Sequence, residues 1–120
     1  MSAQAIVRIG AAITTLYATL GNEGLVHGIN ETEVTHIITT EDLLPKLAKL
    51  HNRIPKVKTI VYIEFDYKKF PKVEFDAGID LVPFKQLEND GRVAPKNLTG
   101  VDPTEDDIAL IQYTSGQFLI

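Results

Sequence analysis

The sequence of 120 residues predicts an α/β fold, a partial and mostly parallel sheet with flanking helices, and three observations carry that expectation. Leu43, Leu47, Leu50 and Ile54 recur at helical spacing, and Leu44 and Ala48 widen their stripe. Residues 59–63, Thr-Ile-Val-Tyr-Ile, are almost wholly apolar or β-branched, as in a strand covered on both faces; such strands belong to parallel sheets. Segments of the two kinds alternate, the order that right-handed crossovers between parallel strands produce.

Residues 3–9 read as a short helix that Gly10 ends, and residues 12–17 as a β-branched run. Asn22, after Gly21, can cap a helix whose Leu25, Val26 and Ile29 share one face and which ends near Asn30. Residues 34–39 resume strand character. Thr40 or Asp42 can cap the next helix; Pro45 is tolerated in its first turn, where N–H groups have no intrahelical acceptor, and Pro55 stops it. Residues 79–83 offer a fourth strand, followed by a short helical segment at residues 84–88. Residues 65–78 and 89–107 read as surface loops, the second marked by Gly91, Pro95, Gly100 and Pro103. Ile108-Ala109-Leu110-Ile111-Gln112 then reads as a buried strand that delivers a hydroxyl-and-glycine loop at Tyr113-Thr114-Ser115-Gly116. Ligands of such sheets bind at the carboxyl ends of strands, where this loop falls.

Composition narrows the function. Hydrophobic residues at 44% and charged residues at 23% fit a globular chain and argue against disorder. A net charge of -4 argues against nucleic acid as the partner, since phosphate backbones reward clustered Lys and Arg. Absence of cysteine excludes disulfides, thiolate metal sites and cysteine nucleophiles. No apolar run approaches the roughly 20 residues that span a bilayer, so no membrane anchor is expected in this segment. The opening residues lack the organisation of a signal peptide, which leaves the cytosol as the default compartment. Without secretion, the acceptor-like triplets at Asn30 and Asn97 carry no weight.

Most other candidate features have ordinary readings. Gly21, Gly24 and Gly28 lack the spacing of a dinucleotide fingerprint and suit a turn and close packing. His27, His36 and His51 lie in separate elements, not at metal-ligand spacing. Glu41-Asp42 suits a helix start, where acids offset the dipole, and Glu105-Asp106-Asp107 a solvated loop. Lys68, Lys69 and Lys72 alternate with Phe65, Tyr67, Phe70 and Phe75, but Asp66, Glu74 and Asp76 cancel their field. Ser2 and Ser115 are the only serines, and Ser115 lacks the setting of a nucleophile elbow. The best chemical feature is Thr114-Ser115-Gly116, because bare backbone N–H groups and hydroxyls can close around a phosphate.

The run Asp107-Ile108-Ala109-Leu110-Ile111-Gln112-Tyr113-Thr114-Ser115-Gly116 resembles the approach to the ATP-phosphate loop of long-chain fatty acid acyl-CoA synthetases, in the adenylate-forming superfamily. Thr15-Leu16-Tyr17-Ala18-Thr19-Leu20-Gly21 and the stretch from Val26-His27-Gly28-Ile29-Asn30 through Ile37-Ile38-Thr39 resemble the same family. The resemblance runs from about residue 3 to residue 116, weakest over 65–100. It implies ATP-dependent activation of a fatty acid carboxylate to an acyl adenylate, with Mg, followed by displacement of AMP by the coenzyme A thiol. Fatty acid, ATP and coenzyme A are the implied ligands of the intact family, and the cytosolic face of the endoplasmic reticulum or other organelle membranes its implied location.

Thr114, Ser115 and Gly116 carry over as phosphate-loop residues; no catalytic residue or metal ligand does. The family's loop continues Ser-Thr-Gly, one variable residue, then Pro-Lys-Gly, where this chain has Gln117-Phe118-Leu119-Ile120. Residues 1–120 are therefore expected to be a fragment of the large amino-terminal domain, ending within the phosphate loop and inactive alone. Tyr17 and Leu20 are expected to pack the sheet, with His27 and Asn30 around a helix end. Two rivals stand beside this reading. A receiver- or flavodoxin-like module would need paired acids after its first strand, an acceptor aspartate after its third and a lysine after its fifth, where this chain offers Ala18-Thr19, then Glu64 and Asp66, then Thr114, and an interaction protein would dock on a full-length synthetase.

Overall fold

The computed structural model describes residues 2–75, 78–95, 97 and 99–114. The chain divides into two compact units, a central one of Gly21–Ala94 and a terminal one of Met1–Leu20 with Pro95–Ile120.

The central unit is built on three parallel strands in the order β2-β3-β4: β2 His36–Thr40, β3 Thr59–Ile63 and β4 Asp80–Pro83. Register pairs Ile37 with Ile60 and Ile60 with Leu81. Helix α2 (Asn22–Glu31) supplies Leu25, Val26 and Ile29 to the core, and α3 (Leu44–Leu50) supplies Leu44, Leu47 and Leu50. Ile54, Val57, Ile60 and Val61 complete it, with Ile54 and Ile60 fully enclosed. Ile60 and Val61 are neighbours on one strand and point to opposite faces, so both faces of β3 are covered, as its apolar run implies.

Boundaries differ from the sequence reading where backbone groups are already committed. Gly21, not Asn22, occupies the cap position of α2 with extended backbone, and no side chain caps it. β2 starts at His36 because the Val34 N–H is spent on the Ile29 carbonyl at the end of α2. Between them Glu33 adopts φ 55, where an L side chain is strained. Its carboxylate pairs with the Lys56 ammonium. Residues Glu41–Leu43 form a 3-10 turn before α3, so neither Thr40 nor Asp42 caps the helix itself, while Pro45 sits in the first turn as expected.

Helix α4 runs over Phe84–Val93, longer than the short segment expected, so residues 89–93 are helical and not loop. Once nucleated, a helix gains one hydrogen bond per added residue, and a single Gly91 costs only about 1 kcal/mol. The helix stops at Ala94, whose ψ of 151 fits the extended backbone that Pro95 imposes.

The terminal unit holds α1 (Ser2–Arg8) and a two-stranded parallel ladder of β1 (Ile13–Thr15) and β5 (Leu110–Gln112). Gly10 ends α1 at φ +75, and a Cβ there would lie 3.2 Å from a Val101 methyl. The Val101 N–H donates to the Arg8 carbonyl at 3.0 Å. The buried strand expected over residues 108–112 is corrected on two counts: β5 is three residues long, and Ile108 and Leu110 are 64% and 53% exposed. A ladder of three residue pairs covers little of either face. Tyr17, expected to pack, is likewise 58% exposed. The pairing of β1 with β5 departs from the receiver arrangement, in which the first strand lies between the second and third.

Candidate functional site

Thr114 lies two residues beyond β5 and is exposed, after the half-buried Tyr113. Ser115 and Gly116, the other two expected phosphate-loop residues, lie outside the described residues. Upstream of β5 a closed turn precedes the strand. The Asp107 carboxylate accepts the Thr104 N–H at 2.8 Å and the Thr104 hydroxyl at 3.0 Å, and the Asp107 N–H returns to the Thr104 carbonyl at 3.2 Å. The backbone hydrogen bond from Thr104, then the hydroxyl, hold the Asp107 carboxyl below the usual carboxylate range. Sequence reading assigned the three acids 105–107 to solvation and missed this role, although a threonine three residues before an aspartate is the signal for such a turn.

A second group of polar side chains collects where the central strands end. Glu41 follows β2, residues 64–69 follow β3 and Lys85 follows β4, and the parallel register brings these ends to one edge. All of these but Tyr67 line a depression of about 250 Å³ with Phe65 at its apolar wall. Glu41 accepts the Phe65 N–H at a long 3.4 Å, and Lys85 donates to Asp66 at 3.0 Å. That partner raises the Lys85 pKa. Burial, with Glu64 and Glu41 nearby, pushes the Tyr62 phenol up. Lys68 stands 4.9 Å above the Phe70 ring, and Phe65 stacks at a tilt on Tyr67 and Phe70. Acids and lysines are interleaved, so the edge offers no field of one sign. Only the folded register unites Glu41 and Lys85 with residues 64–69, which is why the sequence reading takes Glu41 for a helix start and Lys68 and Lys69 for a loop and leaves Lys85 out.

The other candidates stay apart. His27 pairs with Glu31 one turn on at 3.3 Å, His36 with the Thr35 hydroxyl at 2.8 Å, and His51 with the Ala48 carbonyl at 2.6 Å. Among the described residues no three His, Asp or Glu side chains group to hold a metal ion, and no helix is long and apolar enough to cross a membrane. Asn30, near the end of α2, donates its amide to the Arg53 carbonyl at 2.8 Å, a structural tie. Arg53 in turn grips the Glu23 carboxylate with both guanidinium nitrogens, at 2.7 and 2.8 Å.

Comparison with known proteins matches this architecture. The crystal structure of an anthranilate CoA ligase in complex with anthranoyl-AMP superposes with a TM-score of 0.73 at 20% identity, over 96% of this chain and 20% of that one. Long chain acyl-CoA synthetase 8 of Arabidopsis thaliana is 29% identical over 114 residues, 94% of this chain and 16% of that protein. Long-chain-fatty-acid--CoA ligase 1 of Schizosaccharomyces pombe is 29% identical over 97% of this chain and 17% of its own length. The chain thus spans about a sixth of the length of these curated relatives. A family model described as AMP-binding enzyme matches residues 1–116, through β5 and the segment that follows it, and the chain belongs to that family.

Proposed function

We propose that these residues form part of the large domain of a long-chain fatty acid CoA ligase, in which Thr114, Ser115 and Gly116 begin the loop that receives the ATP phosphates. The observation that carries the proposal is that the family match runs through β5 to residue 116 and that Thr114, two residues beyond the carboxyl end of this parallel strand, is exposed. A carboxylate is a poor electrophile until a leaving group is attached. The carboxylate oxygen attacks the α-phosphorus of ATP and expels pyrophosphate, and the thiol of coenzyme A then attacks the acyl carbon of the adenylate and expels AMP. Hydroxyl and backbone donors at the strand end hold the phosphates while the carboxylate attacks. Central-unit residues serve as scaffold.

On their own the 120 residues are proposed to be inactive, because they span only a sixth of related enzymes. Fatty-acid-dependent exchange of labelled pyrophosphate into ATP tests this directly. Background exchange is expected, and a clear signal above it defeats the inactivity reading. The site is tested in a chimera, with residues 1–116 replacing the aligned segment of the Arabidopsis synthetase. Thr114→Val in that chimera is expected to lower kcat/KM for ATP on the order of 100-fold, as for loss of one donor to a developing charge. An unchanged kcat/KM removes Thr114 from the phosphate site.

A further inference from the structure

We propose that Asp107 is a positioning residue for the phosphate loop: by closing the turn with Thr104 it fixes the register of β5 against β1, and thereby where Thr114 is presented. Its meaning for nucleotide rests on the function proposed above; its structural half stands alone.

Register in a ladder is normally fixed by burial of one face, since a slip of one residue would turn every apolar side chain outward. β5 lacks that determinant. Ile108 and Leu110 are more than half exposed, Ile111 is only half-buried, and Gln112 is exposed. A slip would therefore cost little in apolar burial, yet would carry Thr114 about 3.3 Å along the strand axis, more than one hydrogen-bond length. Polar closure supplies what burial does not. Three hydrogen bonds tie Thr104 to Asp107, and Pro103 fixes the backbone entering that turn. Two residues beyond Asp107, the Ala109 carbonyl accepts the Ile13 N–H at 2.9 Å, the first link of the ladder. Ile13 then faces Leu110, Thr14 faces Ile111 and Thr15 faces Gln112. So short a span from closed turn to first link leaves little slack for a one-residue shift.

Charge is part of the device. Asp107 shares its loop with Asp102, Glu105 and Asp106, and among the described ion pairs none gives it a cation; its hydrogen-bond donors both belong to Thr104. Protonation removes the charge that strengthens those two bonds. Because hydrogen bonding lowers its folded pKa below the ordinary 3.8, the charge-assisted closure is complete above that value and weakens to that of a neutral acceptor as pH falls through the lower, folded one.

Amide hydrogen exchange in the full 120-residue chain tests this without any need for activity. The reporter is the Ile13 N–H, with buried Ile60 as the control in the other unit. Asp107→Ala is expected to speed exchange at Ile13 roughly 10- to 100-fold, the range for hydrogen bonds to a charged acceptor, and to leave Ile60 unchanged. Asp107→Asn keeps an acceptor oxygen without the charge and is expected to fall between wild type and Asp107→Ala. In acid, wild type is expected to drift to the exchange level of Asp107→Asn, which has no charge to lose there, while Ile60 keeps its protection, which separates weakening of the turn from acid unfolding of the whole chain. Equal Ile13 exchange in wild type and Asp107→Ala overturns the proposal, as does loss of protection in Asp107→Asn as complete as in Asp107→Ala. Failure of the chimera assay with intact Ile13 behaviour would instead indict the function and leave the positioning role standing.

Discussion

Replacing Ile60 by alanine tests whether the central unit has the core described. Ile60 is fully enclosed on the middle strand, with Ile37 and Leu81 beside it on the same face and the α2 and α3 side chains completing the core. The substitution deletes three carbon groups worth about 0.8 kcal/mol each, ~2.4 kcal/mol of transfer free energy. A void between two flanking strands collapses poorly, which adds ~1 to 2 kcal/mol. The expected loss is ~3.5 to 4.5 kcal/mol, a large part of the total stability of a domain this size. Urea unfolding followed by far-ultraviolet circular dichroism reads it as a midpoint lower by ~2 M, with a slope of about 2 kcal/mol per molar. Ile108→Ala, at a residue 64% exposed, is the matched control and should shift the midpoint by less than ~0.3 M. Equal shifts for the two variants would refute the assignment of Ile60 to an enclosed core.

Arg53→Ala removes the two-nitrogen grip on Glu23, while the Asn30 bond to the Arg53 backbone persists. Arg53 lowers the Glu23 pKa below 4.5 through hydrogen bonding and charge, so the stabilisation is present above that value and lost as pH falls through the lower folded one. The variant should unfold at slightly lower urea at pH 7 and lose less stability than wild type on acidification, and the difference should shrink in 0.5 M salt because both groups are exposed. Gly10→Ala forces a side chain into φ +75 and against Val101; a cost of about 1 to 2 kcal/mol is expected, read as faster exchange at the Val101 N–H with Ile60 unaffected.

Periodicity and punctuation made much of this structure legible. The Leu44, Leu47 and Leu50 stripe of α3, the apolar run of β3 and the stop at Gly10 needed only local chemistry and stand where the residues put them, whereas the helix expected to run to Pro55 ends at Leu50 and gives way to a 3-10 turn over His51–Arg53. Pattern failed where a neighbour decides. Ile108 and Leu110 look buried because they are apolar, but burial depends on how many strands lie alongside, and β5 has β1 alone in its ladder. Gly91 looked like a loop marker, yet the helix entering it outweighed a single poor residue. The Thr104–Asp107 closure was hidden for a different reason. Three adjacent acids read as solvation, and only geometry reveals that one of them accepts two hydrogen bonds.

Charge near the proposed phosphate loop bears on what the 120 residues can do unaided. Residues 97–120 contain no lysine or arginine, and Asp102, Glu105, Asp106 and Asp107 precede β5. A triphosphate held there would meet backbone N–H groups and hydroxyls, each contributing about 1.5 to 3 kcal/mol because the acceptor is charged. Two such bonds amount to ~3 to 6 kcal/mol, from which the lost translational and rotational freedom takes at least ~4 kcal/mol, whereas a dissociation constant of 1 mM needs a net of roughly 4.1 kcal/mol. Repulsion from the acids moves the balance further from binding. The chain is therefore expected to bind ATP with a dissociation constant above ~1 mM, measured as the shift of the Thr114 amide resonance during titration. Saturation at micromolar ATP would refute this reasoning, because it would require cationic groups that residues 97–120 do not contain to reach the phosphates.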